Sequence, residues 1–123
     1  MSRLLTIKLA VVAIVSLAAT TAFAHAQLQK AVPPVGGVVI ATPAEIRLKF
    51  SEGVEPRFSG VTLATEAGAA QPTGKPALDP ADPSVLIVTI GQPLKPGVYT
   101  VTWHAVSVDT HKTQGGFNFT FAP

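Results

Sequence analysis

The sequence predicts an all-β domain: a small Greek-key β-sandwich or barrel of immunoglobulin-like type, with about seven strands. Three observations predict it. No segment keeps apolar residues at helical spacing. Glu45-Ile46-Arg47-Leu48-Lys49-Phe50 alternates strictly, with Ile46, Leu48 and Phe50 on one side and three charged residues on the other. The remaining apolar runs are short and are separated by Gly- and Pro-containing turns.

The elements follow in chain order. Residues 1–24 read as a cleaved export signal. Arg3 and Lys8 supply positive charge, residues 9–17 form an apolar stretch, and Ala22-Phe23-Ala24 is a small-x-small cleavage site. The apolar stretch is shorter than the ~20 residues a membrane span needs, and no later segment is a candidate span. The mature product is therefore expected to be a monomeric, non-spanning domain of residues 25–123. Within it, residues 27–32 read as a first strand stopped by Pro33-Pro34, and Gly36-Gly37 makes a turn before Val38-Val39-Ile40. Glu45–Phe50 is the clearest strand, and residues 51–57 form a polar loop with Gly53 and Pro56. Residues 58–64 form another strand. Residues 67–83, rich in Ala, Gly and Pro, read as loop with room for a short edge strand. Residues 85–90 are β-branched and apolar, and the 94–97 turn follows. Residues 98–106 form a long strand with Tyr99, Val101 and Trp103 facing a core. Residues 114–121 close the domain, with Phe117, Phe119 and Phe121 alternating against polar partners.

Composition narrows the function. The formal charge of +2 comes from nine basic and seven acidic residues, but Arg3 and Lys8 leave with the signal. The mature domain is then formally neutral, which gives no warrant for nucleic acid or an anionic membrane as partner. There is no cysteine, and the single methionine is Met1. Disulfides, zinc fingers, iron–sulfur clusters and sulfur ligands of any kind are excluded from the mature domain. No Ser-His-Asp set, paired-carboxylate arrangement or phosphate-cradling glycine loop stands out.

What remains is histidine chemistry. Asp109 and His111 lie two residues apart in what reads as the end of a strand, so strand alternation turns both to one face. If the signal is cut after Ala24, His25 presents a free α-amine and an imidazole, and the two can chelate one ion. The amine's ordinary pKa of about 7.7–8.0 lets a metal displace its proton at modest cost. With His111 and Asp109 the set becomes three nitrogens and one oxygen, which suits Cu(II). Ala24-His25-Ala26 is also a small-x-small motif, and cleavage after Ala26 would discard His25. His104 has the opposite parity to Asp109 and His111, so it reads as a surface strand residue, with a second ligand as the alternative. Glu52, in the loop after the clearest strand, is either an outer acceptor for the amine or for a ligand imidazole, or a solvated carboxylate. Ser107 and Thr110 either orient the ligands or are simply polar strand residues.

The chain resembles the CopC/PcoC family of periplasmic copper-binding proteins. The resemblance rests on His25-Ala26-Gln27-Leu28, Pro43 before the Glu45–Phe50 strand, Phe50-Ser51-Glu52, Phe58-Ser59-Gly60, Pro96-Gly97-x-Tyr99-x-Val101-x-Trp103 and Ala105-Val106-Ser107-x-Asp109-x-His111. It covers essentially the whole mature chain. It implies a small Greek-key β-domain that holds Cu(II) through the His25 amine and imidazole, Asp109 and His111. It also implies work in the periplasm, in copper homeostasis or resistance, beside an inner-membrane copper transporter of the CopD type. Some members carry a methionine-rich Cu(I) loop at the opposite end. The corresponding stretch here, 64–76, has no methionine, so the Cu(II)-only type is the better match. Two other functions stand beside the copper carrier. One is a copper oxidase or oxygenase built on an N-terminal histidine brace, which would need an open equatorial position that Asp109 closes. The other is a metal-free immunoglobulin-like binding module.

Overall fold

The computed structural model describes residues 25–123. Among them there is no helix, and nine strands form two sheets. The expected export signal, residues 1–24, lies outside the described residues. The strands are β1 (Leu28–Val32), β2 (Val38–Val39), β3 (Glu45–Phe50), β4 (Gly60–Thr65), β5 (Ala70–Gln71), β6 (Ala77–Asp79), β7 (Asp82–Thr89), β8 (Gly97–Val106) and β9 (Lys112–Phe121). One sheet has the order β1-β3-β7-β6 and the other β2-β9-β8-β4-β5. Every pairing is antiparallel except the short β2–β9 pair. The β3–β4 and β7–β8 links cross between sheets, the mark of a Greek-key sandwich.

Alternation decides which side chains fill the space between the sheets. On β3, Ile46, Leu48 and Phe50 are buried, and their neighbours are half-exposed. β7 contributes Leu86 and Val88, and β4 contributes Val61 and Leu63. β8 and β9, the longest pair, supply Tyr99, Val101, Trp103 and Ala105 against Phe117, Phe119 and Phe121. Phe50 and Trp103 meet edge to face across the two sheets at 5.2 Å, and Tyr99 stacks on Phe119 at 5.6 Å. Trp103 lies over Gly115, where an added Cβ would come within 2.7 Å of the indole. Each of these large side chains contributes about 1.5–3 kcal/mol by leaving water. That is how a domain without disulfides holds together.

The strand count differs from the expected seven or so because of residues 67–83. This stretch contains β5, β6 and the start of β7, with β6 and β7 joined by a tight turn at Pro80-Ala81. Edge strands of two or three residues need only backbone pairing, so Ala, Gly and Pro do not preclude them. On the outer face of the first sheet, charged side chains of β3 reach the β6–β7 hairpin. Arg47 binds Asp79 and Glu45, and Lys49 binds Asp82 at 2.9 Å. Hydrogen bonds from Ser84 and the Lys49 ammonium hold the Asp82 carboxyl down to about 2.

Candidate metal centre

One end of the sandwich gathers three segments from distant parts of the chain. The first is residues 25–27, leading into β1. Their backbone is pinned by hydroxyls. Ser51 Oγ accepts from Gln27 N at 2.8 Å and donates to the His25 carbonyl at 3.1 Å, while Ser51 N donates to the Gln27 carbonyl. Thr113 Oγ1, on β9, donates to the Ala26 carbonyl at 2.8 Å, 87 residues away in sequence. Ala26 itself is fully buried in the core.

The second segment is the loop after β3. Val54 bridges to Ser107, Glu55 N donates to the Val106 carbonyl, and Val54 N donates to the Pro83 carbonyl. Glu52 Oε1 is shut off from solvent and accepts no hydrogen bond among the described residues.

The third segment, residues 107–111, corrects the strand reading of Asp109 and His111. β8 ends at Val106, and both residues lie in the loop that joins it to β9. The backbone turns because Thr110 adopts a left-handed conformation, φ 72°. Ser107 also closes the loop on itself, its N donating to the His111 carbonyl at 2.9 Å. Asp109 and His111 are neighbours through this turn, not through alternation. His111 Nδ1 lies 3.1 Å from Asp109 Oδ2, and Ser107 Oγ donates to Asp109 Oδ1. The Ser107 hydrogen bond, followed by that of His111, holds the Asp109 carboxyl below the usual carboxylate range.

The loop meets the amino-terminal segment. The His25 and His111 rings are 4.9 Å apart between centroids and nearly perpendicular, at 84°. His25, His111 and Asp109 are thus brought together, and Ser51 ties the adjoining Glu52 segment to them. Among the described residues, no three His, Asp or Glu side chains form a ready-made metal cage. Asp109 is turned onto Ser107 and His111. His104 is apart from the cluster, exposed on β8 and lying over Gly60. Two imidazoles and a carboxylate, without sulfur, are a donor set for a borderline divalent ion such as Cu(II). The buried Glu52 oxygen offers an acceptor to an amine donor.

Ser51 and Thr113 were not among the sequence candidates. For Thr113 a signal existed. It shares the inward parity of Phe117, Phe119 and Phe121, and a hydroxyl on a core face must find a partner. Ser107 likewise continues the inward parity of Tyr99, Val101, Trp103 and Ala105. Ser51 gives no such signal.

Fold and site define a class: a two-sheet β-sandwich whose first described residue, a histidine, meets a second histidine from a hairpin loop. The chain belongs to the CopC family, whose domain model matches residues 28–122. It is 42% identical over 104 residues to Protein YobA of Escherichia coli, covering 85% of this chain and 84% of that one. Among solved structures it is similar to CopC from Methylosinus trichosporium OB3b. The TM-score is 0.75 and the identity 28%, over 80% of this chain and 95% of that one. It is similar also to PcoC, a methionine-rich copper resistance protein from Escherichia coli. There the TM-score is 0.71 and the identity 35%, over 80% of this chain and 100% of that one.

Proposed function

We propose that the chain is a periplasmic Cu(II) carrier or buffer in copper homeostasis, and not an enzyme. Copper is its cargo. One ion is held by the α-amine and imidazole of His25, the imidazole of His111 and the carboxylate of Asp109. The observation that carries the reading is the meeting of the His25 and His111 rings at 4.9 Å. These are two of only three histidines in the chain, drawn from opposite ends of the sequence. Family membership supports copper as the metal, since PcoC is a copper resistance protein.

The reading requires cleavage after Ala24. The full burial of Ala26 favours that position, because cleavage after Ala26 would remove a core residue and the acceptor of the Thr113 hydrogen bond. The shielded Glu52 oxygen, which has no hydrogen-bond partner among the described residues, would then be the acceptor for the freed amine. Asp109 Oδ2, now beside His111 Nδ1, would be the oxygen offered to copper, with Oδ1 kept by the Ser107 hydroxyl. Four donors from one chain would suffice to fill an equatorial plane. This favours holding and handing over the ion above oxygen chemistry. The receiving partner is an inner-membrane copper transporter of the CopD type, and the domain acts as a monomer.

The test compares protein beginning at His25 with protein whose amine is acetylated. Competition titration is expected to find one tight Cu(II) in the first and a large loss in the second. Equal affinity, or a mature protein that mass spectrometry finds to begin at Gln27, overturns the reading. Two imidazoles and an amine also make up the histidine brace of copper oxygenases. Ascorbate-driven peroxide production above that of free copper would favour this second reading.

A further inference from the structure

Ser107 stands apart from the other polar residues at this end. It is fully buried, yet among the described residues its hydroxyl is engaged only with the two residues proposed to take the metal. We infer that Ser107 is the positioning residue of the centre: its hydroxyl fixes Asp109 and His111 in their relative places before metal arrives. The inference rests on the site assignment above and extends it to a residue that touches no ion.

The hydroxyl has one proton and two lone pairs. The proton goes to Asp109 Oδ1, a charge-assisted bond and the strongest available to it. A lone pair takes the His111 N–H at 3.2 Å. The His111 carbonyl, also 3.2 Å from Oγ, is already served by Ser107 N at 2.9 Å and does not need that proton. One side chain thus grips the carboxylate of one proposed ligand and the backbone of the next. The base of the grip is anchored in the fold. Ser107 bridges to Val54, its carbonyl accepts from Thr110 N at 2.8 Å, and its side chain continues the inward face of β8. Asp109 and His111 are by contrast partly solvent-exposed, with side chains 34% and 54% accessible. Without the hydroxyl, water would satisfy the carboxylate equally well but would not hold it in one rotamer. The loss would fall on preorganisation more than on folding.

The experiment uses protein beginning at His25, with Ser107→Ala and with Ser59→Ala as control. Ser59 is also buried, and its hydroxyl accepts from Val106 N and donates to the Glu55 carbonyl, but it touches neither proposed ligand. Ser107→Ala is expected to weaken Cu(II) binding about 10–100-fold, the usual cost of losing a group that orients a ligand. It is also expected to change the EPR hyperfine splitting. Ser59→Ala is expected to lower the melting temperature with affinity and spectrum intact. Two NMR measurements need no copper. In metal-free Ser107→Ala, the side-chain couplings of Asp109 and His111 are expected to average over rotamers. In the metal-free wild type, the Ser107 hydroxyl proton is expected to exchange slowly. Fixed rotamers in the variant, or rapid hydroxyl exchange in the wild type, overturn the positioning role alone. A wild type that binds no Cu(II), or a His111→Ala that binds it equally well, overturns the site assignment and the inference with it.

Discussion

The two ends of the sandwich are built by different means. At the histidine end, side-chain hydroxyls hold the backbone: Ser51 and Thr113 pin residues 25–27, and Ser107 pins 109–111. At the other end, backbone-to-backbone bonds close the turns, joined by two hydroxyls: Thr65 Oγ1 accepts from Ala69 N at 3.0 Å, and the Tyr99 hydroxyl donates to the Lys95 carbonyl at 2.6 Å. Glu66 N donates to the Val98 carbonyl, Gly68 N to Thr65, Gly74 N to Thr89 and Gly91 N to Pro72. That end also carries a cleft of about 740 Å³ bordered by Glu66, Gln71, Gln92, Lys95 and Tyr99, with no histidine, cysteine or methionine on it. The difference shows what each end demands of the sequence. Backbone-held loops accept almost any small residue, and here they are Ala- and Gly-rich. Hydroxyl-held loops require particular residues at particular positions, which is the condition for aiming a ligand.

The sharpest way to break this contrast is at the histidine end itself. His111→Ala is expected to lower Cu(II) affinity by on the order of 100-fold or more, since losing even an outer partner of a ligand costs 10–100-fold. Competition titration checks it, and an unchanged affinity would show that the two ends do not differ in function. Next in size are the pins. Thr113→Ala leaves the Ala26 carbonyl without its side-chain donor and is expected to cost about 1–2 kcal/mol in denaturant unfolding. Thr65→Ala, which removes an exposed hydroxyl bond at the other end, is expected to stay within about 0.5 kcal/mol. Similar costs for both would erase the distinction.

Acid offers a finer probe. Asp82 opens β7 next to Pro83, whose carbonyl supports the Val54 loop. Its carboxyl is held down to about 2 by Ser84 and Lys49, below its ordinary value of about 3.9. A carboxyl depressed in the folded state stabilises the fold above the unfolded value. That stabilisation fades as pH falls from about 4 through about 2. Asp82→Asn is expected to flatten the acid limb of a stability–pH curve in this window, and an identical limb refutes the role. The smallest expected effect is at the far end. Glu66→Gln and Lys95→Ala should leave Cu(II) affinity unchanged, and Cu(I) should find no site in the cleft, which offers no thioether. Isothermal titration with each ion checks both.

The sequence made the sheets legible because alternation at Glu45–Phe50, at Tyr99-Val101-Trp103 and at Phe117-Phe119-Phe121 maps directly onto burial. It made His25, Asp109 and His111 legible as a group through their chemistry. The way the last two are neighbours was hidden. A left-handed Thr110 has no composition signature, so the Asp109–His111 segment looked like continuing strand. β5 and β6 were obscured for a related reason, being made by backbone pairing that small residues neither favour nor prevent. Ser107 was weighed from the sequence as a residue that could orient the ligands, and Thr113 was visible in principle as a hydroxyl on an inward-facing position, whereas Ser51 becomes meaningful only once β1 and β3 are paired.

The union of residue 25 with the loop after residue 106 has a consequence in time. A polypeptide emerging amino terminus first exposes His25 almost at once, but its companion imidazole arrives only when residue 111 has followed. Until the β8–β9 hairpin closes, the leading histidine has no second ring to work with. If the proposed centre holds the ion, an unfinished or truncated chain would be poorly equipped to sequester it, and competence to do so would report that the whole domain has closed.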